Sequence, residues 1–111
     1  WSPVLQRLGL AWNGISDEGA GELAAQLPKM GLIRHFDLAY NRVGDAGANS
    51  LAVTMKTVPT LKVLALQANR ITRAGAAVLL AARREWNELK LEGNTVKLVV
   101  SQSLPVWPLS N

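Results

Sequence analysis

The one histidine of the chain, His35, stands two residues before Asp37, and a His–Asp pair is a combination that moves protons in general acid–base catalysis. Two residues apart on an extended segment, the two side chains fall on one face. Catalysis would also need a nucleophile, and the neighbouring positions supply only Gly, Ala, Arg and Val. A metal would need further nitrogen or sulfur ligands, but the 111 residues hold no second His and no Cys. The nine glycines are scattered rather than gathered into a phosphate-cradling loop. His35 and Asp37 therefore read as ordinary surface polarity. The chain is expected not to be an enzyme, with no catalytic residues, metal, cofactor or small-molecule substrate.

Two other groups have the chemistry of recognition. Trp12 and Tyr40, with Arg7, Arg34, His35 and Asp37 nearby, have the composition of an interaction hot spot. An equal alternative is a half-buried aromatic pair that steadies a turn. Arg70 and Arg73, with Arg83 and Arg84, could contact an anion or an acidic partner. Arginine near a helix C-terminus also has a local reason, because it complements the dipole. No aromatics are interleaved with these arginines, so base-specific reading of nucleic acid is not expected. The formal charge is +4, and it is uneven. Residues 1–60 are balanced, whereas the excess comes from Lys62, Arg70, Arg73, Arg83, Arg84, Lys90 and Lys97 against Glu85, Glu88 and Glu92.

The elements that position these residues follow from an internal repeat. Asn13, Asn41 and Asn69 recur every 28 residues. The same offset relates Leu8, Phe36 and Leu64; Leu10, Leu38 and Leu66; Gly19, Gly47 and Gly75; and Leu23, Leu51 and Leu79. A fourth, shorter register follows at Trp86, Leu89, Leu91, Asn94 and Val96. The alternation in Leu8-Gly9-Leu10 and its copies is the period of a half-buried strand. Downstream, Ala20, Leu23, Ala24 and Leu27 have helical spacing. Ser16, Gly44 and Thr72 precede the three helices at cap positions, and Asp17, Glu18 and Asp45 fall in first turns, where the dipole favours negative charge. Pro28 and Pro59 mark the passage to the next strand. A compact doubly wound α/β domain also alternates strand and helix, but gives Asn no reason to recur in phase after each strand.

The pattern Leu5-x-x-Leu8-x-Leu10-x-x-Asn13-x-Ile15-x-x-x-Gly19-Ala20-x-x-Leu23 resembles a leucine-rich repeat of the ribonuclease-inhibitor type. It returns at Ile33 to Leu51 and Leu61 to Leu79, and in part at Trp86 to Val96; Phe36 and Trp86 depart from it. The resemblance implies an α/β solenoid, with a curved parallel sheet on the concave face and helices on the convex face. It also implies that Asn13, Asn41, Asn69 and Asn94 turn inward and bond neighbouring backbone. On such a sheet, positions flanking the leucines form ladders: Arg7, His35, Val63, Glu88; Gly9, Asp37, Ala65, Lys90; Ala11, Ala39, Gln67, Glu92. Trp12 and Tyr40 share the next column with Ala68 and Gly93.

Residues 1–97 are expected to form about three full units and a partial fourth. Residues 98–111, apolar and containing Pro105 and Pro108, are expected to form an irregular cap or an arm docked on a partner. Terminal units of a solenoid need polar covers, and nothing before Leu5 resembles one, so the first unit is expected to leave Leu8, Leu10, Ile15 and Leu23 partly bare. No apolar run approaches the roughly 18 residues of a membrane helix. These features point to a non-enzymatic protein-interaction module, a short array or a fragment of a longer repeat protein, serving as an accessory or scaffold subunit of a larger intracellular assembly. The alternatives are a regulator of an enzyme, of the inhibitor, GTPase-activating or innate-immune-sensor kind, and an RNA-associated subunit of a ribonucleoprotein.

Overall fold

A computed structural model describes residues 5–85 and 87–95. Trp86, and the expected cap or arm at 98–111, lie outside the described residues. Four short strands, β1 (Arg7–Gly9), β2 (His35–Asp37), β3 (Val63–Ala65) and β4 (Glu88–Lys90), pair in parallel in the order β1-β2-β3-β4. Between them run α1 (Asp17–Gln26), α2 (Asp45–Thr57) and α3 (Arg73–Ala82). A 3-10 turn, Leu27–Met30, carries Pro28 in its opening positions, where a missing N–H costs nothing.

This order excludes the doubly wound alternative, because the strands follow the chain without a switch point. The helices pack on one another, α1 on α2 and α2 on α3. Helices stack about 8–10 Å apart and strands about 4.8 Å apart, so the array bends with the sheet inside. The sheet is the concave face and the helices form the convex one.

The register of the strands is that of the repeat. Leu8 faces Phe36, Phe36 faces Leu64, and Leu64 faces Leu89. With period-2 alternation, these residues turn toward the helices and their flanking neighbours turn away. Phe36, Leu38, Leu51, Leu64, Leu66 and Leu79 are buried, each worth about 1.5–3 kcal/mol relative to exposure. Phe36 fits a leucine position because the middle of the array is closed on both sides. Leu5, Leu8, Leu10, Ile15 and Leu23 pack against this core but are only partly buried, as are Leu89 and Leu91 at the other end. Among the described residues, no helix is long and apolar enough to cross a membrane.

Candidate protein-interaction face

The strand pairing builds the concave ladders residue by residue. Arg7 lies beside His35, His35 beside Val63 and Val63 beside Glu88; Gly9, Asp37, Ala65 and Lys90 form the next row. Burial, and then the positive charge of Arg7, hold the His35 imidazole below its ordinary value of 6.5, although Asp37 pulls it upward. The Asp37 carboxylate accepts the Ala39 N–H at 2.9 Å. Among the described residues, Asp37 and His35 share no hydrogen bond, and no three His, Asp or Glu side chains gather at metal-binding distance. Arg34 is exposed at the entrance to β2, one residue ahead of the ladder.

Past the strands, each chain segment turns through the same unusual backbone. Trp12, Tyr40 and Ala68 have φ of 64°, 59° and 55°, and Gly93 completes the column at 79°. A residue with a Cβ is strained there by about 1–2 kcal/mol, which favours Gly or Asn. Two of the four positions nevertheless carry large aromatics. Their rings stack with centroids 4.2 Å apart and planes 7° from parallel. Trp12 is 74% exposed and Tyr40 47% exposed, so Tyr40 is half-buried under the stack while Trp12 stands mostly in solvent.

The asparagines hold this turn. Asn41 Oδ1 accepts the N–H groups of Asn13 and Ile15, and its Nδ2 donates to the carbonyls of Leu10 and Leu38. Asn69 repeats the arrangement with the Val43 N–H and the carbonyls of Leu38 and Leu66; Asn94 does so with the Ile71 N–H and those of Leu66 and Leu91. Each amide thus joins its own unit to the preceding one. Among the described residues the Asn13 side chain donates only to the carbonyls of Leu10 and Ala11 in its own unit.

The helix starts use a device that single-residue capping rules do not reveal. Ser16, Gly44 and Thr72 occupy the cap positions, but no side chain there caps its own helix. The acceptor comes from the preceding unit instead. Asp17 Oδ1 accepts the N–H groups of Gly44 and Gly47 at 2.6 and 2.9 Å. Asp45 accepts the Thr72 N–H at 2.8 Å and the Thr72 hydroxyl at 2.5 Å. The Thr72 hydroxyl, then the N–H groups of Thr72 and Gly75, hold the Asp45 carboxyl below its ordinary value. The 28-residue spacing of Asp17 and Asp45 was the available signal; Arg73 occupies the same column in the third unit.

The four arginines of the basic half separate into two pairs. Arg70 and Arg73 are exposed at the start of α3, whereas Arg83 and Arg84 lie at its end, about 15 Å away for ten residues of helix. Arg83 Nε donates to the Asn87 carbonyl and Arg84 Nη2 to the Lys56 carbonyl, so both secure backbone near the helix end. Asn87 is a buried contributor that the repeat pattern does not flag. Its Nδ2 donates to the Leu61 carbonyl at 2.6 Å and its Oδ1 accepts the Arg84 N–H.

Comparison with known proteins agrees with this architecture. A family model described as Leucine Rich repeat matches residues 2–24 and 32–52. No curated protein matches. The solved structure "Leiomodin-1 Actin-Binding Site 2 (ABS2)" is similar with a TM-score of 0.76 at 23% sequence identity. The match covers 83% of this chain and 56% of that one, so the chain spans little more than half of its length. Repeating strand-to-helix units joined by asparagine side chains, the first two of them matched by that family model, give this chain the fold of a leucine-rich repeat solenoid.

Proposed function

We propose that this solenoid is a protein–protein interaction module of the ribonuclease-inhibitor type, serving as an accessory or scaffold subunit of a larger intracellular assembly. The observation that carries the reading is the exposed Trp12–Tyr40 stack on left-handed backbone. Aromatics held at a strained position and left in water contribute little to the core, and their area is available to a partner. Arg7, His35 and Asp37 on the adjoining ladders, with Arg34 at their edge, supply the polar surround. Arg70 and Arg73 offer contacts to an acidic surface. The 28-residue period and the α-helix in three successive units support the ribonuclease-inhibitor type. The name of the actin-binding structural neighbour is consistent with a protein-binding use of such a fold.

The test is capture from native cell extract with the tagged chain and with a Trp12→Ala/Tyr40→Ala chain, followed by mass spectrometry. One stoichiometric set of proteins should be retained by the first and lost by the second, since truncating a hot-spot residue costs about 2 kcal/mol or more, roughly thirtyfold in affinity. Neither residue belongs to the asparagine or aspartate bonds, so the urea transition of the variant should stay cooperative. Equal retention by both chains would overturn the proposal.

A further inference from the structure

The aromatic column stops abruptly. Trp12 covers one face of Tyr40, but the next positions in the column are Ala68 and Gly93, too small to continue the stack. A hollow of about 570 Å³ opens there, lined by Tyr40, Gln67, Ala68, Glu88, Lys90, Glu92 and Gly93. Tyr40 thus belongs both to the stack and to the lining of the hollow.

The chemistry of the lining restricts what can enter. Glu88 and Glu92 are carboxylates; Lys90 is the one cation in the wall, and its Nζ lies 3.7 Å from Glu88 Oε2. Glu92 is exposed and has no ion pair among the described residues. Gln67 Oε1 is buried beside the hollow and has no hydrogen-bond partner, which leaves an acceptor in need of a donor. The occupant should therefore be planar, positively charged and rich in N–H groups. A phosphate or nucleotide fails on charge, an aromatic side chain on donors, and an ammonium on planarity. A guanidinium meets all three requirements, stacking on Tyr40 while it donates to carboxylate and amide oxygens.

We propose that the hollow beside Tyr40 receives an arginine side chain of a partner protein, stacked as the third member of the Trp12–Tyr40 column and paired with Glu92 and Gln67. This inference rests on the interaction-face reading and names the chemistry that the partner must present. The aromatic stack supplies area, and the hollow at its end supplies selectivity.

The test uses the ¹⁵N-labelled chain titrated with N-acetylarginine amide, N-acetylcitrulline amide and N-acetyllysine amide, observed by NMR. Citrulline preserves the planar group without its charge, and lysine preserves the charge without the plane. Saturable shifts at Tyr40, Ala68, Gly93 and the Gln67 side-chain amide should appear with arginine. Binding should weaken by about two- to fivefold with either analogue, and by a similar factor in Tyr40→Leu and Glu92→Gln chains. Equal response to citrulline, shifts that do not localise to the hollow, or an undiminished response in Glu92→Gln would each overturn the inference. Those outcomes together with loss of partner capture in the Trp12→Ala/Tyr40→Ala chain would leave the interaction face standing and remove the arginine assignment alone.

Discussion

Gly19 and Gly47 occupy the same position of the repeat, yet the same substitution should affect them unequally. A Cβ at Gly19 would meet only Ile15 Cγ2, at 3.1 Å. The site is near the start of a helix, where Ala exceeds Gly by up to about 1 kcal/mol, so Gly19→Ala should be neutral to slightly stabilising. At Gly47 a Cβ would stand 2.6 Å from Val43 Cγ1 and 2.8 Å from Asp17 Oδ1. Asp17 would have to leave the N–H groups of Gly44 and Gly47, at a cost of about 0.5–2 kcal/mol, and repacking Val43 adds about 1–3 kcal/mol. Even with the helical gain, Gly47→Ala should lose about 1–3 kcal/mol. For a domain of this size that is a fall in Tm of roughly 5–20 °C, against no fall at Gly19. Urea and thermal unfolding of the two single variants measure the contrast directly. In an Asp17→Ala background the Gly47→Ala penalty should shrink, because the displaced carboxylate is already gone. Equal effects at the two glycines, or a penalty indifferent to Asp17, would refute the account of cross-unit capping.

Two further outcomes follow from the same bonds. Asn41→Ala should destabilise by about 2–4 kcal/mol in urea unfolding, since it strands the N–H groups of Asn13 and Ile15 and the carbonyl of Leu10; Asn13→Ala, with bonds only inside its own unit, should cost less than about 1 kcal/mol. Comparable losses at both positions would contradict the ladder. Asp45 has a folded-state pKa below its unfolded value of 3.8, so its contribution is complete above that pH and is lost as pH falls through the depressed value. The urea midpoint of the Asp45→Asn chain should therefore change less than that of the parent over the acid range, and parallel curves would exclude the effect.

The fold was legible because buried positions repeat in type as well as in place. Leu, Ile and Phe columns record which face closes, and the Asn column records a bond that no shorter residue makes across two units. Ladder neighbours such as Arg7 and His35 followed from that register alone. What was not legible lies in groups whose role depends on another unit. Asp17 sits in the first turn of α1, where a dipole argument already accounts for it, and only the stacked geometry sends its carboxylate to α2. The exposure of Trp12 and Tyr40 was equally hidden, because a hydrophobic ring in a sequence gives no sign of the left-handed backbone that turns it outward. Nothing in the sequence places Arg83 and Arg84 beside the backbone carbonyls of Asn87 and Lys56 to which they donate.

The bonds between units also have a direction. Asn41, Asn69 and Asn94 each reach back to the unit before, and Asp17 and Asp45 each reach forward to the unit after, so the first two junctions are stitched once from either side. Arg73 takes the aspartate's place in the third unit and breaks the forward stitch there. Among the described residues the fourth unit is joined to the third at the strand side, through Asn94. One change of charge in one column thus removes a capping acceptor, so the tie that recurs at the first two helix junctions depends on a carboxylate that the third unit does not carry.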